Sequence, residues 1–289
     1  MPRVARPRRW FPALRRRRFR IRWRSRSNPL TDQSAPISAS WPPGVERRIL
    51  PRTDSTNAEA FRSARDLTAP TWIVTREQYS GRGRRGRVWE MPAGNFAGTL
   101  ALPNFGTPRD GALLSFVAAL ALYDALGAAC GPSARLAIKW PNDVLLNGGK
   151  VAGILLESAG AGQGGDLLAV GIGVNLAAAP DGAVVEAGAL PPVSVKGETG
   201  HLVTPEDFLD LLAPAFAEWL ARFQTEGFAP IRAGWLARAA RVGETITART
   251  GTTSRTGRFE GIADDGALIL LTPAGRETIP AADVFFPEG

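Results

Sequence analysis

The chain contains, at residues 135–157, the stretch Arg135-Leu-Ala-Ile-Lys-Trp-Pro-Asn-Asp-Val-Leu-Leu-Asn-Gly-Gly-Lys-Val-Ala-Gly-Ile-Leu-Leu-Glu157. Its first six residues predict a strand. Val144–Glu157 predicts a β-hairpin, because two apolar runs flank the turn signal Asn147-Gly148-Gly149. We therefore expect Asp143 and Lys150 to lie close together across the mouth of this hairpin.

Two of the three lysines in the chain, Lys139 and Lys150, lie in this stretch, and the other basic residues are almost all arginines. Lysine offers a compact, mobile point charge where arginine offers a wide planar fork. Such a charge fits between two anionic oxygens, which indicates a carboxylate or a phosphate under chemical attack. Asn142 and Asp143 could hold a metal or orient a ligand beside it. Simpler interpretations stay open, because Asn-Asp is a common turn pair and Lys150 suits an exposed edge strand.

The hydrophobic pattern predicts further elements on both sides of this stretch. Strands are expected over residues 47–52, 72–75, 95–102 and 167–175, and helices over 58–65, 109–129, 204–224 and 229–239. Thr56 or Asn57 is the natural cap of the first helix. Short alternating runs after Arg241 predict a small β-barrel. The predicted units are a tail with its linker at 1–45, a main domain at 46–240 and the barrel at 241–289.

Composition excludes several classes of site. The single cysteine, Cys130, excludes an internal disulfide and a cysteine metal cluster, and it suits a reducing cytoplasm. The single histidine, His201, excludes a zinc site built on several histidines and disfavours a Ser-His-Asp triad. We expect His201 to be a surface loop residue and the protein to be cytoplasmic.

The formal charge of +8 belongs to the N-terminal tail. Residues 1–30 hold twelve arginines and no acid, so residues 31–289 carry 8 − 12 = −4. The tail lacks the apolar core of a secretory signal, and we expect no stretch elsewhere to be long enough to span a membrane. Three interpretations stay open: a segment that binds nucleic acid or an anionic membrane, a transit peptide, or a leader without function, which we favour.

The densest cluster of charge in the body is Gly81-Arg-Gly-Arg-Arg-Gly-Arg87, in which four arginines alternate with three glycines. Glycine lets a backbone approach a ligand closely, and arginine forks bind carboxylate or phosphate. Because like charges repel, we expect this loop to be mobile until an anion binds. An RNA-binding segment or a solvated loop would show the same composition.

Together these motifs resemble the biotin protein ligases of the bacterial type. The matching segments are, in chain order, Asp54-Ser-Thr-Asn57, Gln78 with Gly81–Arg87 and Trp89, Lys139-Trp-Pro-Asn-Asp143, Lys150-Val-Ala-Gly-Ile-Leu-Leu-Glu157, and Gly171-Ile-Gly-Val-Asn175. The resemblance is to the members without a helix-turn-helix DNA-binding domain, because residues 1–45 are too short and too rich in arginine to form one.

The resemblance implies an α+β fold. Its mixed, mainly antiparallel sheet with flanking helices would resemble the catalytic domain of class II aminoacyl-tRNA synthetases, followed by a small SH3-like β-barrel. The implied reaction makes biotinoyl-5′-AMP from biotin and ATP, with Mg²⁺, and then transfers biotin to a lysine. The implied partner is the biotin carboxyl carrier domain of acetyl-CoA carboxylase or a related carboxylase. No DNA or membrane partner is expected, and a homodimer is left open.

Roles for individual residues also follow from the resemblance. The implied catalytic residues are Lys150, Asp143 and Arg84, and Asp143 is also the implied magnesium ligand and a candidate base for the second step. The implied biotin-binding residues are Ser55, Thr56, Asn57, Gln78, Arg82, Gly83, Arg84, Lys150 and Gly171. The implied ATP-binding residues are Arg84, Arg85, Arg87, Trp89, Lys139, Asn142 and Asn175.

Two other functions are compatible with parts of this sequence. A lipoate or octanoate ligase or transferase of related fold would need an apolar acyl channel, whereas the polar side chains of Ser55, Thr56 and Gln78 favour a ureido ring. An RNA-binding protein would use the tail and the arginine loop, but the mildly acidic body argues against it. The stretch Ala178–Gly200 has no predicted role beyond connection.

Overall fold

The computed structural model describes residues 40–159, 167–180, 189–251 and 253–286. The strands are β1 (Glu46–Leu50), β2 (Thr71–Thr75), β3 (Phe96–Pro103), β4 (Leu136–Lys139), β5 (Asp143–Leu146), β6 (Gly149–Ala159), β7 (Leu167–Val174), β8 (Thr245–Thr250), β9 (Thr253–Ile262), β10 (Leu268–Thr272), β11 (Gly275–Ile279) and β12 (Asp283–Phe285). The helices are α1 (Thr56–Arg62), α2 (Pro108–Cys130), α3 (Val195–Thr199), α4 (Pro205–Glu226) and α5 (Phe228–Leu236), with a 3₁₀ turn at Arg84–Gly86. The predictions for the arginine-rich tail fall outside the described residues.

A seven-stranded sheet forms the main part of the molecule, in the order β1-β2-β3-β7-β6-β5-β4. β1 and β2 pair in parallel, and the other neighbours pair in antiparallel fashion. The predicted hairpin is present as β5 and β6. Its turn places Asn147 and Gly148 at φ values of 50° and 92°, the positive values that a tight hairpin turn requires.

Side chains of β7 alternate between the two faces of the sheet, as in any strand. The even-numbered positions from Leu168 to Val174 are apolar and join the main hydrophobic core, which α2 and α4 also enter. On the other face the side chains become smaller along the strand: Leu167 and Ala169 pack in a cluster with residues of α1. Gly171 and Gly173 follow on that same face. The strand therefore builds a core on one side and leaves room for a site on the other.

The long helix α2 packs against α4 and α5. Within the described residues, Arg109–Cys130 is long and apolar enough to cross a membrane by length and composition, so our expectation that no stretch is long enough was wrong. Of its most apolar window, 67% is buried inside the protein. A buried core helix has this composition because it is surrounded by apolar neighbours.

The start of α1 also differs from the prediction. Ser55 is the N-cap residue, and its side chain makes no capping hydrogen bond, so the expected cap at Thr56 or Asn57 is wrong. Both of those side chains lie within hydrogen-bond distance of the Thr99 hydroxyl on β3 instead. A tertiary contact has therefore replaced the local one.

The C-terminal part is a five-stranded antiparallel sheet in the order β11-β10-β9-β8-β12. This arrangement and the seven-stranded sheet confirm the predicted α+β class with a small C-terminal β unit. The indole of Trp140 donates a hydrogen bond of 3.0 Å to the carbonyl of Gly266, and Phe259 and Leu268 belong to the main core. The two sheets thus share one hydrophobic core. The three-residue strand β12 was not predicted.

Candidate active site

A cavity of about 430 Å³ opens on the face of the large sheet that α1 partly covers. Its lining includes Gly153, Gly171 and Gly173, which bring bare backbone to the surface. A Cβ atom at Gly171 would overlap the carboxamide of Asn57, and one at Gly173 would overlap the indole of Trp89. Glycine is therefore required at both positions, because the side chains of Asn57 and Trp89 lie directly against the backbone there.

The cavity brings together nearly all of the predicted site residues. Those that line it are Ser55, Thr56, Asn57, Gln78, Arg82, Gly83, Arg84, Arg87, Trp89, Lys139, Asn142, Asp143, Lys150, Gly171 and Asn175. Arg85 is the exception. Its backbone has a φ of 56°, and its guanidinium is directed to Asp283 at 2.9 Å. The expected direct contact of Arg85 with ATP is therefore not supported by its position.

Asp143 lies between the two lysines of the hairpin region. The ammonium nitrogen of Lys150 is 2.7 Å from Asp143 Oδ1, and that of Lys139 is 3.8 Å from Asp143 Oδ2. The predicted proximity of Asp143 and Lys150 is therefore present. Lys150 is the more accessible lysine, with 34% of its side chain exposed against 13% for Lys139.

Electrostatics set the charges of this cluster. Burial opposes ionisation of Asp143, but the ammonium groups of Lys150 and Lys139 outweigh it, so the pKa of Asp143 is held below its ordinary value of 3.8. Burial lowers the pKa of Lys139, and Asp143 offsets part of that effect. Asp143 is therefore an ionised partner that holds Lys150 at the cavity wall.

The arginine loop is bound to a carboxylate of the C-terminal sheet. Guanidinium nitrogens of Arg84, Arg85 and Arg87 lie 3.5, 2.9 and 2.7 Å from the carboxylate oxygens of Asp283 on β12. Arg84 also donates to the carbonyl of Ala282 at 3.2 Å. Burial lowers the pKa of Arg84, and Asp283 works against that shift. We expected this loop to be mobile until an anion binds. In the structure, the carboxylate of Asp283 is an anion from the same chain that contacts the loop.

Polar side chains at the start of α1 form one end of the cavity. The backbone N–H of Thr56 donates to Gln78 Oε1 at 3.0 Å. The amide nitrogen of Asn57 donates to Glu157 Oε2 at 2.7 Å and to the carbonyl of Leu155 at 3.3 Å. These bonds tie α1 to β6 and to the segment after β2. The result is a fixed set of donors and acceptors facing the cavity.

Two asparagines support the cavity wall. Asn142 Nδ2 donates to the carbonyl of Ile154 at 2.6 Å, and the N–H of Ile154 donates back to the carbonyl of Asn142 at 2.9 Å. Asn175 Nδ2 donates to the carbonyl of Val193 at 3.0 Å. Both side chains therefore position neighbouring backbone as well as lining the cavity.

Sequence reasoning missed two parts of the wall. One is Asp283–Phe285, for which the only sequence signal is an acid whose charge complements the arginine loop. The other is the segment before α3: the N–H of Lys150 donates to the carbonyl of Pro191 at 2.8 Å, and the N–H of Val193 donates to the carbonyl of Lys150 at 3.0 Å. The described part of Ala178–Gly200 thus flanks Lys150, a role that the sequence pattern did not indicate.

No group of three histidine, cysteine, aspartate or glutamate side chains lies close enough to hold a metal within the ranges that the structure describes. Asp143 is the carboxylate that pairs with Lys150. Its Oδ1 atom is buried and is paired with the Lys150 ammonium at 2.7 Å, without a well-directed hydrogen bond. A single carboxylate can help to hold a magnesium ion only where substrate phosphates supply most of the ligands, which is the usual mode for this metal.

Comparisons with known proteins agree with this geometry. Residues 49–176 match the Biotin/lipoate A/B protein ligase family, and residues 242–286 match the Biotin protein ligase C terminal domain. The biotin–acetyl-CoA-carboxylase ligase of Paracoccus denitrificans is 71% identical over 238 residues, which is 82% of this chain and 99% of that protein. The chain thus belongs to the biotin/lipoate ligase class.

More distant relatives share the same core. The bifunctional ligase/repressor BirA of Bacillus subtilis is 31% identical over 219 residues, which is 74% of this chain and 65% of that protein. The structure of the biotin protein ligase from Aquifex aeolicus in complex with biotin and ATP superposes with a TM-score of 0.67 at 25% identity, covering 83% of this chain and 97% of that one. Within the class, the chain belongs to the biotin protein ligases.

Proposed function

We propose that this protein activates biotin with ATP to form biotinoyl-5′-AMP and then transfers the biotinoyl group to a lysine of a carrier protein. The observation that carries this proposal is the position of Lys150. Its side chain lines a glycine-floored cavity that polar side chains of α1 and the arginine loop also line. A ligand with a polar ring at one end and a carboxylate at the other fits this set of groups.

In the first step a carboxylate oxygen of biotin bonds to the α-phosphorus of ATP while the bond to pyrophosphate breaks. Two anions must approach each other, and Lys150 can bridge them because it is a compact charge held from one side by Asp143 at 2.7 Å. Charge that develops in the transition state is stabilised most by groups that are already in place. Lys139, which is more buried, is suited to the nucleotide phosphates.

The arginine loop is proposed to neutralise the polyphosphate. Asp283 accepts contacts from Arg84, Arg85 and Arg87, which shows that these arginines can share one anion. A phosphate that displaces it would meet arginines already gathered on one side of the cavity. The loop would also shield the adenylate from water. Asn142, Asn175 and Trp89 complete the walls on the nucleotide side.

In the second step the ε-amine of the carrier lysine attacks the acyl carbon, AMP leaves and the amine loses a proton. Asp143 was a candidate base for this proton. Its lowered pKa argues for a smaller role, because a strongly ionised carboxylate is a poor proton acceptor. We therefore assign Asp143 to holding Lys150. A bound Mg²⁺ would neutralise phosphate charge, and Asp143 is the side chain that would help to hold it.

The proposed carrier is the biotin carboxyl carrier domain of acetyl-CoA carboxylase or a related carboxylase. The proposed location is the cytoplasm, which suits a chain with a single cysteine. The oligomeric state, including a homodimer, is not part of the proposal. The lipoate or octanoate alternative remains weaker, because the inner end of the cavity is polar at Thr56, Asn57 and Gln78.

The test is incubation of the purified protein with ATP, biotin and a carrier domain, followed by avidin blotting. We expect one labelled band that requires ATP. A parallel reaction with octanoate or lipoate, read by mass of the carrier, is the control. Acylation of the carrier by those acids without biotinylation would contradict the proposal.

A further inference from the structure

One carboxylate of the cavity has no partner within the described part of the chain. Three carboxylates line the cavity, those of Glu90, Asp143 and Asp283. Asp143 is paired with the two lysines of the hairpin region, and Asp283 is paired with three arginines of the loop. The exposed side chain of Glu90 makes no hydrogen bond or ion pair with any residue that the structure describes. Of these three carboxylates, Glu90 is therefore the one that is available to a substrate.

Glu90 is held on the cavity wall by its neighbour Trp89. The Trp89 ring lies directly against the backbone of Gly173 on the cavity floor, and the ammonium nitrogen of Lys150 is 5.6 Å from the centre of that ring. The N–H of Trp89 donates to the carbonyl of Gly81 at 2.9 Å, which fixes the backbone at this point. Glu90 thus lies one residue along the chain from the side chain that contacts Lys150.

The cavity carries more positive than negative charge. The cationic side chains that line it are Arg82, Arg84, Arg87, Lys139 and Lys150, against the three carboxylates. A carrier lysine has an ordinary pKa of about 10.4, so nearly all of it is protonated at pH 7. Its ammonium group must therefore enter a site that repels it, and it must lose a proton before its nitrogen can attack. An unpaired carboxylate on the wall meets both requirements.

We propose that Glu90 is a catalytic residue of the second step, which receives the ammonium group of the carrier lysine in the cavity and takes a proton from it. This inference rests on the proposed function, because it concerns the transfer of the biotinoyl group. The neutral amine then bonds to the acyl carbon, the bond from that carbon to the phosphate oxygen breaks, and AMP leaves with the electron pair. The nitrogen releases its second proton to water, and Glu90 releases the first.

The cations around the site favour this proton transfer. The ammonium groups of Lys139 and Lys150 disfavour a third ammonium beside them, so the carrier lysine gives up its proton at a smaller cost in free energy than in water. Asp143 is a poor alternative acceptor, because the same two lysines hold its pKa below the ordinary value of 3.8. Glu90 is the carboxylate of the wall that is not committed in this way.

The experiment measures the two steps separately. The first step is followed as biotin-dependent exchange of labelled pyrophosphate into ATP. For the second step, protein loaded with biotinoyl-5′-AMP is mixed with a carrier domain in a single turnover, and the biotinylated carrier is measured by mass. Glu90→Gln keeps the size of the side chain and removes its charge. We expect exchange within about threefold of the wild type, and transfer at pH 7 slower by about 10²-fold, the usual contribution of a general base.

Two readouts separate proton transfer from a merely structural role. As the pH is raised from 7 to about 10, the carrier amine becomes neutral without help, so the deficit of Glu90→Gln should shrink about tenfold or more. Hydroxylamine is largely neutral at pH 7 and needs no carrier, so it should discharge the adenylate from both proteins at the same rate. Glu90→Asp keeps a carboxylate and should recover part of the transfer rate.

Glu226→Gln is the matched control. Glu226 is an exposed carboxylate that pairs with Arg222 at the end of α4 and does not line the cavity, so both steps should be unchanged. Transfer by Glu90→Gln at the wild-type rate, or a deficit that is the same at both pH values, would overturn the inference while the proposed function stands. A loss of exchange in folded Glu90→Gln would overturn it too. A wild-type protein without biotin-dependent exchange would instead overturn the proposed function.

Discussion

Gly171 shows how strongly a single position on the cavity floor is constrained. Its Cα lies so close to the Asn57 carboxamide that any Cβ would overlap it. We expect Gly171→Ala to push Asn57 away from Thr99 and to raise KM for biotin about tenfold or more, because overpacking costs about 1–3 kcal/mol. Steady-state kinetics with varied biotin measures this change.

Gly111 provides the control for that substitution. A Cβ there would lie 3.5 Å from Leu168, an ordinary contact, and Gly111 is inside α2. Gly111→Ala should leave KM for biotin unchanged and should raise the melting temperature, because glycine costs a helix interior about 0.5–1 kcal/mol. Equal KM values for the two variants would show that the floor tolerates a methyl group.

Several residues of the site could be predicted because their chemistry is local in sequence. Asp143 and Lys150 face each other because one hairpin turn separates them. The arginine loop can be recognised in the sequence from its arginines and glycines alone. Thr99 could not be found in this way: its place behind the cavity depends on the register of β3 against β7, which pairs Thr99 with Gly171. Nothing in the neighbouring residues marks it.

At the scale of elements, the strand β12 connects the C-terminal sheet to the arginine loop. Asp283 could not be predicted as part of the site for two reasons. A three-residue strand gives almost no periodic signal, and Asp283 lies 198 positions along the chain from its partner Arg85. The structure therefore shows a contact between the C-terminal sheet and the arginine loop of the main domain, which the sequence pattern does not indicate. Through that link, three arginines of the loop share one carboxylate.

Replacing this carboxylate should free the loop. We expect Asp283→Asn to be cut by trypsin within Arg82–Arg87 several-fold faster than the wild type without substrate, because an amide cannot hold several guanidinium groups by charge. Added pyrophosphate should slow the cleavage again. Asp264→Asn is the control, since Asp264 pairs with Arg232 away from the loop. A loop cut at the wild-type rate in Asp283→Asn would contradict the role of Asp283.

An ion pair between Asp54 and Arg62 holds the N-terminus of α1. Asp54 accepts hydrogen bonds from Arg62 at 2.6 and 3.0 Å and from the N–H of Ser55 at 2.8 Å. The Arg62 bond holds the pKa of Asp54 well below its ordinary value of 3.8. A carboxylate with a lowered pKa in the folded state stabilises the fold above that ordinary value, and this contribution is lost as the pH falls toward the folded pKa.

The acid dependence of stability checks this pair. Between about pH 5 and pH 2, the urea midpoint of the wild type should fall more steeply than that of Asp54→Asn, which has no carboxyl to protonate. Asp210→Asn serves as the reference, because Asp210 forms an exposed pair with Arg47 and such pairs contribute little. Parallel curves for the wild type and Asp54→Asn would show that Asp54 makes no pH-dependent contribution.

For the whole molecule, motifs spread over residues 54–175 carried the family resemblance, and that resemblance implied the class of fold. What the sequence did not predict was how the two sheets combine. The core is continuous between them, and the cavity takes walls from both, since Asp283 and Phe285 line it together with Lys150. Contacts between distant segments depend on packing, which no local pattern records.

The central claim is that the intact protein uses Lys150 to join biotin to AMP. Adenylate formation is reversible, so labelled pyrophosphate should enter ATP only when biotin is present. The chain offers its own control, because its third lysine, Lys196, is exposed on α3. The most direct measurement is therefore biotin-dependent ATP–pyrophosphate exchange by the wild type, Lys150→Met and Lys196→Met. We predict exchange by the wild type and Lys196→Met and a loss of about 10²–10³-fold in Lys150→Met. Exchange by Lys150→Met at the wild-type rate would contradict the account.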